Sequence, residues 1–223
     1  MIVVIGQLLH READDGGRAD GMAARIALAA ATAGRSVQFV GKTGEDPEAD
    51  EALLSLAQAG VGHVAVLRDA GMATPRLAEP IDADLNSGQE DAFVDADTSP
   101  APAPDVGPAL DAADIELALR YLTDFSVLVL AVPADDAIAR TVSAAAGWAD
   151  ARLIVIVPHG LAIPEGLPPD AIVFEGPDAD PDGVFADMVG AFAAALDDGD
   201  EPAMAFRSTV EGAGWAPTEA EPV

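Results

Sequence analysis

The sequence predicts a doubly wound α/β protein with a mostly parallel sheet, and three observations support this prediction. Short runs rich in β-branched residues alternate with Ala-rich stretches of helical length, which is the pattern of βαβ units. Apolar residues make up 50% of the 223-residue chain, so it can bury a sizeable core despite a formal charge of -28. The chain has no cysteine, which excludes a disulfide scaffold, a thiolate metal site and a cysteine nucleophile.

Each element is predicted from apolar spacing, length and the residues at its ends. Strands are predicted at residues 2–5, 37–40, 63–67, 127–132, 153–157 and 171–174. Helices are predicted at residues 21–33, 47–59, 111–122, 135–148, 183–196 and 202–211. Asp46, and either Asp111 or Asp114, are placed to cap the helices that follow them. Gly34 and Gly60 suit the left-handed conformation that often ends a helix.

The segment 72–108 breaks this alternation, because it is rich in proline and poor in apolar residues. Its first half is compatible with two short exposed strands, at 74–78 and 91–95, and residues 98–104 read as a Pro/Ala linker. The segment is therefore predicted to be either a flap or a mobile loop. Residues 218–223 are expected to be a frayed tail.

The charge of the chain restricts its partners. Asp and Glu number 39 against 11 Lys and Arg, and Lys42 is the sole lysine, so the clustered basic residues that bind nucleic acid or anionic lipid are missing. No apolar run approaches the roughly 20 residues of a membrane span, and no signal peptide is recognisable, which favours a cytoplasmic location. An Asp-rich, Lys-poor surface is typical of salt-accumulating halophiles. An acidic protein from a GC-rich genome is the alternative.

One block of sequence carries a family resemblance. Residues 40–47, Val-Gly-Lys-Thr-Gly-Glu-Asp-Pro, followed by Ala-Gly-Val at 59–61, resemble the Val-Gly-Lys-x-Gly-x-Asp-x signature of the ribokinase-like PfkB family of carbohydrate and nucleoside kinases. The resemblance implies a Rossmann-like three-layer α/β/α sandwich of ribokinase type with a mostly parallel sheet and a reduced β flap. A single domain would span residues 1–217, with residues 72–108 as flap and linker.

The resemblance also implies an activity, the ATP-dependent phosphorylation of a sugar or nucleoside hydroxyl with ATP and Mg as cofactors. The family's Gly-Ala-Gly-Asp motif supplies an anion cradle and a carboxylate base. It aligns with residues 183–186, which places the base at Ala186. Asp187 lies one residue further along, about 100° round a helix. Asp178 and Gly183 mark the nucleotide and Mg region, and the chain is shortened between them.

Candidate substrate-binding residues come from the resemblance and from the carboxyl ends of strands, where open α/β sheets bind ligands. Arg11 stands in place of an acidic residue of the family, and Arg25 in place of an asparagine. The candidates are His10, Arg11, Gly21, Arg25, Lys42 and His159. Solvated loop histidines and a structural or surface Lys42 are the plainer alternatives. No ligand spacing of the zinc type occurs, so no metal site is predicted.

Three functional hypotheses follow. The first is a kinase-like protein with a degraded phosphoryl-transfer centre, either inactive or only binding a small molecule, in which case no cofactor is used. The second is an active sugar or nucleoside kinase in which Asp187 is the base and Asp178 helps to hold Mg. The third is a structural or interaction protein in which the flap pairs with a second copy to form a homodimer.

Overall fold

The computed structural model describes residues 1–13, 16–77 and 107–212. The strands are β1 Ile2–Gly6, β2 Leu9–Arg11, β3 Arg18–Asp20, β4 Val37–Gly44, β5 Val61–Asp69, β6 Val127–Ala131, β7 Arg152–Pro158 and β8 Ile172–Gly176. The helices are α1 Met22–Thr32, α2 Pro47–Gln58, α3 Ala112–Leu119, α4 Asp136–Ala149, α5 Val184–Asp197 and α6 Pro202–Gly212. Every strand and helix predicted from the sequence, within the described residues, overlaps one of these elements except the strand at 74–78.

Six strands form one sheet in the order β5-β4-β1-β6-β7-β8, and each neighbouring pair is parallel. The predicted α/β class with a mostly parallel sheet is confirmed. A separate antiparallel hairpin joins β2 to β3, with Leu9 opposite Asp20 and Arg11 opposite Arg18. The sequence did not predict this hairpin, because its strands are three residues long and mostly polar, which is too short for a two-residue periodicity to show.

The predicted flap lies mostly outside the described residues. The strand expected at 74–78 is not formed over residues 74–77, where Arg76 makes only an isolated bridge to His10. Pro75 explains the interruption, since it has no N–H to donate to a ladder. The strand predicted at 91–95, the linker at 98–104 and the tail at 218–223 all lie outside the described residues.

The core consists of two apolar layers, one on each face of the sheet. Alternate residues of β1 enter opposite layers, with Ile2 and Val4 in one and Val3 and Ile5 in the other. The first layer is covered by α1, α2, α5 and α6, and the second by α3 and α4. This arrangement is a three-layer α/β/α sandwich. In the described part of the chain, no helix combines the length and the apolar character needed to cross a membrane.

The predicted helix ends are present. Asp46 caps α2 by accepting the Ala49 amide at 2.9 Å. Asp111, the first of the two candidates, caps α3 by accepting the Asp114 amide at 2.8 Å. Gly34 and Gly60 follow α1 and α2 with φ of +82° and +80°. The two aspartates fix helix starts at the carboxyl edge of the sheet, where the candidate site lies, and the two glycines turn the chain at the opposite edge into β4 and β5.

Candidate functional site

The candidate site lies where the carboxyl end of β1 meets the amino-terminal ends of α1 and α5. Gly6 ends β1 here, and a side chain at this position would bring its Cβ within 2.3 Å of the Ala23 Cβ and 2.8 Å of the Ala131 carbonyl oxygen. Glycine therefore lets the strand end, α1 and β6 pack without a side chain between them. The chain then forms the β2–β3 hairpin and enters α1 through Gly21, whose φ is +95°.

Asp20 is the centre of a buried charge cluster at this edge. Its side chain is 7% exposed and pairs with Arg11 and with Arg25, whose Nε donates to Asp20 Oδ1 at 2.6 Å. Burial by itself would raise the pKa of Asp20. Hydrogen bonds from Arg25, from the Gly21 amide and from Arg11 outweigh burial and hold the pKa below its usual value. Two predicted substrate-binding arginines are thus committed to a carboxylate of the protein itself.

Arg25 also ties α1 to the loop that precedes α5. Its Nη1 donates to the carbonyl oxygens of Asp180 and, at 3.1 Å, Pro181. Gly183, with φ of +75°, lies against the same guanidinium: a Cβ there would be 3.3 Å from Nη1. The pKa of Arg25 is raised, chiefly by its hydrogen bond to Asp20. The guanidinium therefore lies between the starts of the two helices.

The backbone amides at the start of α5 already hold an acid. The carboxylate of Asp180 accepts hydrogen bonds from the Phe185 amide at 3.2 Å and the Ala186 amide at 3.0 Å. Free amides at a helix start form an anion site. These two amides belong to the stretch that aligns with Gly-Ala-Gly-Asp, so a carboxylate occupies the place where the resemblance expects phosphate.

No carboxylate stands at the base position of this motif. Ala186, which the resemblance aligns with the base, is fully buried, and α5 begins immediately after Gly183. Asp187 is exposed and lies near enough to Arg25 to raise the pKa of that guanidinium further. Helix α5 is held tightly on α1, because a Cβ on Gly190 would come within 2.5 Å of the Ala29 Cβ. Turning α5 to carry Asp187 into the place of Ala186 would break this contact.

The signature block is occupied by structural contacts. Gly44 leaves no room for a side chain, since its Cβ would lie 2.6 Å from the Met72 carbonyl oxygen. Beside it, Asp46 accepts both the amide and the hydroxyl of Thr74 at 2.6 Å, in addition to capping α2. These hydrogen bonds hold the pKa of Asp46 below its usual value against the opposing effect of burial. Lys42 pairs with Asp114 of α3 at 3.0 Å, which also raises its pKa.

The two candidate histidines are not brought together. His10 lies in β2 rather than in a loop, is buried, and contacts Glu51 of α2 at 2.8 Å through Nε2. His159 follows β7 and contacts Glu175 at 2.7 Å with 61% of its side chain exposed. The anion-binding pocket envisaged for these histidines with Arg11 and Arg25 is therefore not assembled.

A polar cavity of about 440 Å³ lies between the hairpin and α2. His10 forms part of its wall, and Arg76 forms another part and pairs with Glu48. The lining residues are His10, Glu12, Ala13, Gly16, Gly17, Pro47, Glu48, Glu51, Arg76 and Leu77. Side chains alternate across the hairpin, so His10 faces this cavity while Arg11 faces Asp20.

The described residues do not fit ATP and Mg in the way the resemblance implies. The amides that would cradle phosphate bind Asp180, and the base position is an alanine. Asp178 is exposed, and no group of three or more carboxylate or histidine side chains in the described part of the chain is placed to hold a metal ion. Asp180 was not identified from the sequence. The capping pattern does not reveal it, because the residue at the N-cap position is Gly183 and Asp180 lies three residues before it.

Comparison with solved structures identifies the fold. Ribokinase from Arabidopsis thaliana, complexed with ribose and ATP, superposes with a TM-score of 0.63 at 16% identity over 95% of this chain and 90% of that one. Ribokinase from Giardia lamblia gives a TM-score of 0.59 at 13% identity over 96% of this chain and 89% of that one. No family model and no curated protein matches the sequence.

The chain is therefore a three-layer α/β/α sandwich with a parallel sheet, and its fold is of the ribokinase type. The fold predicted from the signature block is confirmed. The identity is too low for the comparison to show more than the fold.

Proposed function

We propose that the chain is a carbohydrate-kinase-like protein that no longer transfers phosphoryl groups. The observation that carries the proposal is the carboxylate of Asp180 on the amides of Phe185 and Ala186. A phosphate and a carboxylate compete for the same donors, and the two anions repel each other, so the helix start is closed to a nucleotide phosphate.

The absence of a base supports the same proposal. Phosphoryl transfer to a hydroxyl depends on a group that takes the proton from the attacking oxygen. The aligned position is Ala186, which has no polar atom in its side chain and is fully buried. Arg11 and Arg25, two cations at this edge that could neutralise transferred charge, are committed to Asp20.

The proposal is tested with the pure protein, Mg-ATP and a panel of sugars and nucleosides in molar KCl. We expect no turnover above background and no ATP-dependent rise in the unfolding temperature. A ligand at a hundred times its dissociation constant stabilises the native state by about 2.7 kcal/mol, so binding would be visible. Robust turnover would refute the proposal, and turnover that is abolished by Asp187→Asn but survives Asp170→Asn, a change at an exposed acid elsewhere, would also identify the base. That result would establish the alternative in which Asp187 is the base and Asp178 helps with Mg.

Binding of a sugar or nucleoside without phosphorylation is favoured by the polar cavity beside the hairpin. Its volume of about 440 Å³ lies within the usual range of small-molecule sites. Carboxylates and an imidazole on its walls are hydrogen-bond partners for hydroxyl groups. A sugar that raises the unfolding temperature of the wild type and of His159→Ala, but not of Glu51→Gln, would support this role. Equal shifts in all three proteins would refute it.

Two further proposals extend beyond the described residues. Homodimer formation through the flap involves the segment 72–108, most of which lies outside the described residues, and a strict monomer by light scattering in high salt would remove this proposal. Adaptation to high salt rests on the charge of -28, and a melting temperature that does not rise between dilute and molar KCl would count against it.

A further inference from the structure

A groove of about 740 Å³ runs between α3 and α4 on the face of the sheet opposite to the candidate site. Its volume lies within the range of small-molecule sites. Most of its wall is apolar, and the small side chains along α4 leave it open. The lining residues are Ala112, Glu116, Leu119, Arg120, Leu122, Thr123, Phe125, Ala137, Arg140, Thr141, Ala144, Ala145 and Trp148.

The groove has a positive charge inside a strongly acidic protein. Of its three charged residues, Glu116 and Arg120 pair with each other at 2.7 Å. Arg140 has no carboxylate within ion-pair distance among residues 1–13, 16–77 and 107–212. Its stem lies across Gly166, where a Cβ would come within 2.8 Å of the Arg140 Cγ. The groove therefore presents one arginine without an ion-pair partner among the described residues, while the chain carries -28.

The other end of the groove is aromatic. Trp148 is on its wall and is 79% exposed, so it is not a core residue despite its size. Arg140 and Trp148 are eight residues apart on α4, about 12 Å at 1.5 Å per residue. Ala144 and Ala145 lie between them on the groove wall. A cation is thus followed by an apolar strip that ends at an exposed indole.

We infer that this groove binds an amphipathic carboxylate, with the acid group on Arg140 and the hydrocarbon body lying along the alanines toward Trp148. Charge complementarity decides the class of ligand. An amine would be repelled by the guanidinium of Arg140, and a neutral apolar molecule would leave that guanidinium without a charge partner. Burial of apolar surface supplies affinity along the strip, and a charge-assisted hydrogen bond sets the orientation.

The test uses Trp148 as reporter in a Trp215→Phe background, which leaves it as the only tryptophan of the chain. Decanoate is titrated, with decanamide as the uncharged probe of equal length. We expect a saturable blue shift with decanoate, because the chain covers the indole, and about tenfold weaker binding of decanamide. Decanoate binding by calorimetry without a change in Trp148 fluorescence would place the ligand elsewhere and overturn the inference.

Two pairs of variants test the cation. Arg140→Gln should weaken decanoate binding about tenfold. Arg152→Gln should not, since Arg152 is also exposed and without a carboxylate partner among the described residues but lies outside the groove. Ala144→Glu should abolish binding, because it places a carboxylate on the groove wall where the hydrocarbon body would lie, whereas Ala144→Gln should retain most of it.

Equal affinities in the two arginine variants, or in the two Ala144 variants, would overturn the assignment. A stable dimer that decanoate dissociates and that Trp148→Asp abolishes would instead put a second copy of the chain on the groove. That outcome would also overturn the assignment of a small molecule.

Discussion

The starts of α2 and α5 are closed by the same chemistry with different consequences. At α2, Asp46 caps the Ala49 amide and fastens Thr74, which lies beyond β5. At α5, Asp180 comes from the preceding loop and binds the amides of Phe185 and Ala186. The first acid belongs to the signature that predicts the fold. The second occupies a place that the same resemblance expects a ligand to fill, so one acid supports the fold and the other takes up the amides of a helix start.

Replacing Asp20, which anchors the start of α5 through Arg25, should cause the largest loss of stability. Asp20→Asn leaves Arg11 and Arg25, which are 21% and 20% exposed, without their partner. Breaking a buried pair typically costs 3–5 kcal/mol, and the partial exposure places this change near about 3 kcal/mol of unfolding free energy. Urea denaturation measures it. Asp50→Asn, which breaks an exposed pair with Arg68, should cost under about 1 kcal/mol. Equal losses would mean that the Asp20 cluster does not hold the two helix starts together.

Removing the cap of α2 should come next. Asp46→Ala leaves the Ala49 amide and both donors of Thr74 without their acceptor. A lost cap with unsatisfied polar groups costs about 2 kcal/mol. Asp46→Asn keeps one acceptor oxygen for the Ala49 amide and the Thr74 hydroxyl but leaves the Thr74 amide without an acceptor, so it should lose about 1 kcal/mol in the same urea experiment. If Asn is as harmful as Ala, the second carboxylate oxygen on the Thr74 amide, rather than the cap on Ala49, is what stabilises this region.

Opening the start of α5 should cost less stability and change binding. Asp180→Ala removes one acceptor from two amides, so we expect a loss of about 1 kcal/mol. The freed amides should then accept inorganic phosphate, which would raise the unfolding temperature of the variant but not that of the wild type. Asp178→Ala, a change at a nearby exposed acid, is the control. A phosphate-dependent shift of the same size in the wild type would show that Asp180 does not close the helix start.

The smallest effect should be in the dependence of stability on pH. The pKa values of Asp20 and Asp46 are lower in the folded protein than their usual value. Their stabilising contribution is complete above the unfolded-state pKa of about 3.9 and is lost as the pH falls through the lower folded-state pKa. As the pH falls from about 5 to about 2, the Asp20→Asn variant should therefore lose less stability than the wild type. The free energy of unfolding is measured by urea denaturation at each pH. If it falls equally in the variant and the wild type, the folded-state pKa of Asp20 is not lowered.

The starts of α2 and α5 also differ in how well they could be predicted from the sequence. The alternation of β-branched and Ala-rich stretches locates the sheet and helices, because burial of a whole strand or of one helix face leaves a periodic trace. The cap at α2 can be predicted from the sequence because Asp46 directly precedes Pro47. Asp180 leaves no such trace: it bonds amides five and six residues ahead, and only the shape of the intervening turn brings it there.

The ion pairs of the candidate site could not be predicted from the sequence either. Arg11 and Arg25 stand out in the sequence because they replace residues of the family motif, and that contrast suggested a ligand. Their commitment to Asp20 depends on the hairpin, whose short polar strands gave no periodic signal. In the same way, Lys42 attracts attention as the sole lysine, but its partner Asp114 is 72 residues away in the chain.

The strand order has a consequence for how the chain acquires its structure. β1 lies between β4, which begins 35 residues later at Val37, and β6, which begins at Val127. The partners β5, β4 and β1 all occur within the first 69 residues, so half of the sheet can assemble while the ribosome is still making the remainder. The seam between β1 and β6 must wait for a contact of high sequence separation, which makes it the step expected to limit the folding rate. During synthesis, the hydrogen-bonding edge of β1 is therefore the surface on which a chaperone or a competing strand would act.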